Sequence, residues 1–233
     1  TLVPFVQSLV DEFPEVTSVV NNINTRKADV SFGEREILLF GKPILNEKLK
    51  ELNFQISANS FFQTNSLMAE KLYDVILDSA NLNGDEIVYD LYCGAGSISL
   101  FLAKKAKFVY GFDIIVSSIE NAEHNAVINN IQNIDFKVAN LDSFFYTNKS
   151  NKYPSADVVI VDPPRAGMHK KMTEYLPKIG AKKIIYVSCN PSTQARDSQI
   201  LKSNNYKLEK LTVVDMFPHT PHVETVGVFK KSK

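Results

Sequence analysis

Two rhythms of apolar residues alternate along this chain. Unbroken apolar runs fall near 87–91, 107–112, 156–161 and 183–188, and stretches with apolar residues three and four apart lie between them. Such runs suit strands covered on both faces, and the intervening spacing suits helices with one apolar stripe. Alternation of the two predicts a mostly parallel twisted sheet with helices on both sides, an α/β fold. The stretch 86–100 shows the repeating unit most clearly. An apolar run ends at Asp90 and Leu91, a turn holds Gly94 and Gly96, and Ser97, Ile98, Leu100, Phe101 and Leu102 resume with helical character. Glycine permits positive φ and close approach of a ligand, and a helix start offers unpaired N–H donors.

Ahead of this unit, residues 1–56 follow another pattern. Short strand-like runs at 16–20 and 36–40 are separated by Asn21-Asn22 and Gly33, Gly41-Lys42-Pro43 forms a turn, and 54–57 is a further short strand. These residues read as part of a small α+β domain, with a catalytic domain over 57–233. Thr64 or Asn65 caps a helix carrying Met68, Leu72, Val75 and Ile76 on one stripe. Beyond the glycine turn, a second strand (107–112) ends at Asp113. Ser117 and Glu120 match a capping box that opens a helix to about residue 130. A third strand at 136–138 leads to Asn140 and Asp142. The run 156–161 stops at Asp162-Pro163-Pro164, since proline cannot continue a sheet interior. A helix over 170–179, a strand over 183–188, a helix over 192–204 and β-like runs at 207–214 and 225–229 complete the chain, the last strand being antiparallel.

At 233 residues the chain holds one large α/β domain with a small appendage. Formal charge is zero and the pI about 6.8, so overall charge announces no nucleic-acid partner. The two cysteines, Cys93 and Cys189, form no Cys-x-x-Cys pair, which points to a reduced cytoplasmic setting without structural disulfides. No apolar run reaches membrane-spanning length, so a membrane is not an expected partner, and without a Cys-x-x-Cys pair or a metal triad no metal is expected either. The chain opens at Thr1, as a fragment would.

Candidate chemistry collects at strand ends: Asp90, Asp113, Asp162 and Cys189. In an open parallel sheet these ends share one rim, where ligands bind. Asp113 lies about twenty residues past the glycines, where an acid binds ribose hydroxyls. No phosphate-binding lysine loop accompanies the glycines, so a nucleoside cofactor without a triphosphate fits, with S-adenosylmethionine the candidate. Cys189 follows a buried strand and precedes a helix, where amide dipoles favour a thiolate. Cys93 lies inside the glycine turn and is expected to be packed there. Phe61 and Phe62 suit either stacking on a base or packing, and His219 and His222 suit structural hydrogen bonds.

Five segments occur in a telling order: 60–65 (SFFQTN), 90–96 (DLYCGAG), 162–167 (DPPRAG), 188–191 (SCNP) and 218–224 (PHTPHVE). Together they resemble the RNA uracil-5-methyltransferases that make 5-methyluridine in tRNA or 23S rRNA. The likeness covers about 57–230 and implies a Rossmann-like methyltransferase fold. Relatives usually carry an N-terminal RNA-binding barrel and some carry a cysteine cluster for iron–sulfur, and neither is expected in this stretch. By that resemblance Cys189 is the nucleophile that adds to C6 and Glu224 the base that removes the C5 proton. Asp162 and Gln63 fall at the substrate position. Gln63, Tyr92, Gly94, Gly96, Ser97, Asp113, Asn140 and Asp162 fall at the S-adenosylmethionine position. Relatives often carry other residues at Ser97 and Asp113. The implied partner is an RNA with a flipped or unpaired uridine, 23S rRNA ahead of tRNA. A cytosine-5 or other base methyltransferase, or a non-catalytic RNA- or cofactor-binding module, are the alternatives.

Overall fold

A computed structural model describes residues 2–25, 33, 35–58, 60–144 and 153–232. Its centre is a seven-stranded sheet of order β10-β11-β9-β8-β5-β6-β7. The strands are β5 (Ile87–Leu91), β6 (Phe108–Asp113), β7 (Ile134–Val138), β8 (Val158–Val161), β9 (Lys183–Ser188), β10 (Tyr206–Val214) and β11 (Glu224–Lys231). β5 to β9 pair in parallel, while β11 runs antiparallel to both β9 and β10.

Along β9 the pleat divides the sheet's contacts. Ile185 and Val187 face one core, with α2 (Ser66–Ala80), α3 (Ser97–Ala103) and α4 (Val116–Ile128); Ile184 and Tyr186 face the other, with α6 (Lys170–Tyr175) and α7 (Pro191–Ser203). Both faces are therefore covered, which explains the unbroken apolar runs. Strand order reverses at β5, which pairs with β6 on one side and β8 on the other. That reversal opens a crevice beyond the carboxyl ends of β5 and β8, where this class of fold binds ligands.

Ahead of the sheet come α1 (Val3–Glu12), the pair β1 (Ser18–Ile23) and β2 (Arg35–Gly41), and the hairpin β3 (Ile44–Leu49) and β4 (Leu52–Ser57). Neither α1 nor β3 stands out in the sequence. β3 alternates too little, with only Leu49 buried, and exists through its pairing with β4. The inward residues Leu49, Leu52, Phe54 and Ile56 join the same core as α2, α3 and α4, although they precede residue 57.

Several local expectations shift for identifiable reasons. Asn65 caps α2, its side-chain oxygen accepting the Met68 N–H at 3.2 Å. The Ser117–Glu120 capping box does not form: α4 starts at Val116 after Ile115, and no side chain closes its first turn. Asp113 instead accepts the Ile115 N–H at 2.9 Å and fixes the chain's entry into the helix. The expected helix over 170–179 ends at Tyr175 and continues as a 3₁₀ turn, Leu176–Ile179, because Pro177 has no N–H to return to the preceding turn. Among the described residues no helix is long and apolar enough to cross a membrane, and no group of three or more His, Cys, Asp or Glu could hold a metal.

Candidate active site

The turn between β5 and α3 is built from left-handed backbone at Tyr92 (φ 69°), Gly94 (φ 54°) and Gly96 (φ 83°). The Tyr92 and Cys93 N–H groups both donate to the Phe112 carbonyl, which docks the turn on β6. Asp113 accepts the Gly94 N–H through its second oxygen at 2.9 Å. Asn125, wholly buried on α4, donates to the Ala95 carbonyl and accepts the Gln55 N–H, clamping the turn to the β4 hairpin. The two glycines have different tasks. A Cβ on Gly96 would lie 2.9 Å from the Phe136 ring and 3.1 Å from the Ala122 methyl. A Cβ on Gly94 would meet only the Phe61 carbonyl at 3.9 Å, so the space in front of Gly94 is open.

Gly96→Ala combines that overlap with positive φ and is expected to lower stability by about 2–4 kcal/mol, read from urea unfolding. Gly84 (φ 103°), with no atom within 4 Å of its would-be Cβ, isolates the backbone effect. Equal losses in Gly84→Ala and Gly96→Ala would show that Phe136 moves aside freely.

In front of the turn is a cavity of about 40 Å³ whose wall includes Gln63, Tyr73, Tyr92, Gly94, Ser97 and Asp162. A wider cavity of about 380 Å³ lies toward β1 and β3 and shares Phe62 and Gln63 with the first. The titratable groups gather at the smaller one. Phe62 packs on Phe54, ring centroids 5.5 Å apart, whereas Phe61 is 66% exposed at the cavity mouth. The sequence left both roles open for both rings; the structure divides them.

Three neighbouring strands bring the chemistry together. Asp162 follows β8, Cys189 follows β9, and Glu224 opens β11. Thr225 pairs with Ser188 in the β9–β11 register, so Glu224 and Cys189 are the next residues along that ladder. The Thr225 hydroxyl donates to the Ser188 carbonyl at 3.1 Å and reinforces this juxtaposition. Asn65 donates to the Met216 carbonyl, tying the segment that carries Gln63 to the loop before Glu224.

Burial shapes the electrostatics. Desolvation, with Asp162 adding to it, raises Glu224 to about 8. Desolvation also raises Asp162 to about 7; its side chain keeps some exposed surface yet is closely surrounded. Asp90, fully buried, is raised to about 7 by desolvation despite accepting a hydrogen bond from the Ser99 hydroxyl. The Cys189 thiol is pushed up by burial and then by Glu224 and Asp162, with Arg165 opposing. The thiolate expected from helix amides is therefore not favoured by these surroundings. Pro191 has no N–H, the Ser192 N–H goes to the Asn190 side chain at 3.1 Å, and the Asn190 N–H goes to the Ser188 hydroxyl at 3.1 Å. Two of the amides nearest Cys189 are therefore already engaged, and Pro191 offers none.

Cys93 is buried, and burial raises its thiol well above the ordinary range. Asn140 lies at the end of β7, exposed and outside the wall of either cavity; its side chain accepts the Asp142 N–H at 3.0 Å. His222 places Nδ1 3.4 Å from the Arg165 guanidinium, and exposed His219 adopts φ 70° in the turn before it. Two residues that the sequence did not single out belong to the site. Tyr73, buried on α2, hydrogen-bonds Ser97 and lies within electrostatic reach of Asp90, Asp162 and Glu224. Arg165 is the cation facing Cys189. Tyr73 is a hydroxyl on an otherwise apolar stripe, the one signal that marked it.

Known proteins resemble this chain over most of its length. A family model described as tRNA (uracil-5-)-methyltransferase matches residues 24–233. RNA methyltransferases of Bacillus cereus, Staphylococcus epidermidis and Listeria innocua are 42%, 43% and 45% identical over 97%, 98% and 96% of this chain. The chain spans about half the length of each, 49%, 50% and 49%. Among solved structures, the Pyrococcus abyssi tRNA (uracil-54, C5)-methyltransferase in complex with S-adenosyl-L-homocysteine is 38% identical with a TM-score of 0.73, over 94% of this chain and 52% of that one. The M. jannaschii tRNA m1G37 methyltransferase is 14% identical with a TM-score of 0.64, over 97% of this chain and 66% of that one, and shows the fold alone. The extent of the family match, together with the identity to these relatives, shows that this chain belongs to the tRNA (uracil-5-)-methyltransferase family.

Proposed function

We propose that this chain transfers a methyl group from S-adenosylmethionine to C5 of a uridine in RNA, through a covalent bond between Cys189 and C6 of the base. The observation that carries the reading is the placement of Asp162, Cys189 and Glu224 at the ends of three adjacent strands, beside a cavity walled by the glycine turn. The residues present fit the cofactor. Gly94 fronts open space, and each Asp113 oxygen holds one backbone N–H and keeps acceptor capacity for ribose hydroxyls. Tyr92, Gly94, Gly96, Ser97 and Asp113 would hold it, with Gln63 and Asp162 at the border with the base. When bound, S-adenosylmethionine supplies an electrophilic methyl group on a cationic sulfur.

Uracil C5 is too weak a nucleophile to take that methyl directly. The Cys189 thiol loses its proton to solvent, the thiolate adds to C6, and C5 gains enolate character. Asp162 accepts the N3–H and fixes the ring, and Gln63 holds the same edge while charge grows at O4. Glu224 removes the C5 proton after methylation, and expulsion of the Cys189 thiolate restores the double bond. Phe61 offers an exposed aromatic face to an unstacked base, since C6 is unreachable inside a helix. The preference for 23S rRNA drawn from sequence gains no support from the likeness to a tRNA enzyme, and both RNAs stand as substrates to be tested. The intact protein, given tRNA or 23S rRNA with labelled cofactor, should yield 5-methyluridine on nucleoside analysis. Formation of 5-methylcytidine, or of no product from either RNA, would refute the reading.

A further inference from the structure

Asp90 and Asp162 stand at the carboxyl ends of β5 and β8, Glu224 stands at the amino end of the antiparallel β11 on the same rim, and Tyr73 lies within electrostatic reach of all three. Two of their oxygens, Glu224 Oε2 and Asp90 Oδ1, are buried with no hydrogen-bond partner among the described residues. Those side chains are 7% and 0% exposed. An orphaned buried carboxylate oxygen is costly and calls for a cation or a proton. The facing groups do not supply the cation. Asp113 and Asp162 face Asp90, while Asp162 faces Glu224 and both face Cys189. Cys93 and Tyr73 are buried neutral groups, and the guanidinium of Arg165 is exposed and turned to Cys189 and His222.

We propose that Asp90, Asp162 and Glu224 form a charge-selective floor that holds protons when the site is empty and releases them to bind the sulfonium of S-adenosylmethionine, and so discriminates substrate from its uncharged thioether product. This rests on the cofactor reading above. The two ligands share their adenosine and amino-acid parts, so the sulfur charge isolates the effect. The floor also closes the cycle: Glu224 receives the C5 proton as the charge it faced disappears, and Asp90 and Asp162 regain theirs from solvent over the neutral product. With these acids raised to about 7 to 8 in the empty site, a cation favours their ionised forms. Affinity for the sulfonium ligand must then rise with pH up to about 8 and flatten above it, by up to about tenfold per pH unit for each proton released.

Calorimetry on the intact protein, in two buffers of different ionisation enthalpy, should show proton release with S-adenosylmethionine and a smaller release or none with S-adenosylhomocysteine. The ratio of their affinities should rise about tenfold or more from pH 6 to pH 8. Glu224→Gln and, separately, Asp162→Asn should each flatten that rise, and Asp113→Asn, which loses ribose contact rather than floor charge, should weaken both ligands alike. A ratio constant across that range, with both ligands binding, would overturn this inference alone. Failure of both ligands to bind would overturn the cofactor reading and this inference with it.

Discussion

Cys189→Ala should reduce 5-methyluridine formation to background, a loss of about 10⁴-fold or more, because the nucleophile itself is removed. The sharper readout is covalent capture. RNA carrying 5-fluorouridine blocks proton removal at C5, so the intact protein should remain attached to it on a denaturing gel. Cys189→Ala should leave no such band and Cys93→Ala should retain it. Cys93 is buried within the glycine turn, and a Cβ on Gly111 would sit 3.1 Å from its sulfur, so that thiol packs against β6, away from the β9–β11 ladder that carries Cys189 and Glu224. The reverse pattern would exchange the roles of the two cysteines. The pH dependence follows from the raised thiol: in the unliganded protein, alkylation of Cys189 should keep rising through pH 8.5, the midpoint of an ordinary thiol. A plateau near neutral pH would mean that Arg165 outweighs the burial and the two carboxylates.

That upward shift shows where sequence stopped being a guide. The position of Cys189 was legible, because a strand rich in Ile and Val must end before Asn190-Pro191. Its electrostatics were not. A helix start is readable from Pro191, but which amides are already engaged depends on side-chain rotamers at Ser188 and Asn190. Asp162 and Glu224 belong to strands 62 residues apart in the chain, and their mutual effect exists only after β11 inserts beside β9.

The same distinction separates the two halves of the fold. β5, β8 and β9 advertise themselves because burial on both faces leaves them few polar positions, Asp90 in β5 and the end residues Lys183 and Ser188 of β9. β3 carries Asn46, Glu47 and Lys48 and is defined by its partner strand, so nothing in its own composition announces it. The surroundings of Asn140 were hidden for a related reason. Strand-end position is visible in sequence, but its side chain is used to start the short helix Leu141–Phe144.

Glu224→Gln separates the two halves of the proposed mechanism. The substitution keeps shape and hydrogen-bonding capacity while removing basicity, so steps before proton removal should survive. With ordinary uridine RNA the variant should turn over about 10²–10⁴-fold more slowly and accumulate a covalent adduct that already carries the methyl group. Mass spectrometry of the trapped complex reads this directly, and Cys189→Ala should accumulate none. Misfolding is not the expected cause of any loss. Glu224 is raised from 4.5 to about 8 by burial, so the folded protein binds more protons than the unfolded chain between those values. Stability therefore falls as pH rises through that window, and a neutral glutamine removes the penalty. The variant should unfold at equal or higher denaturant than the parent at pH 8. Normal turnover would show that Glu224 is not the base and would move the test to His222, which lies beside Arg165 at the same rim.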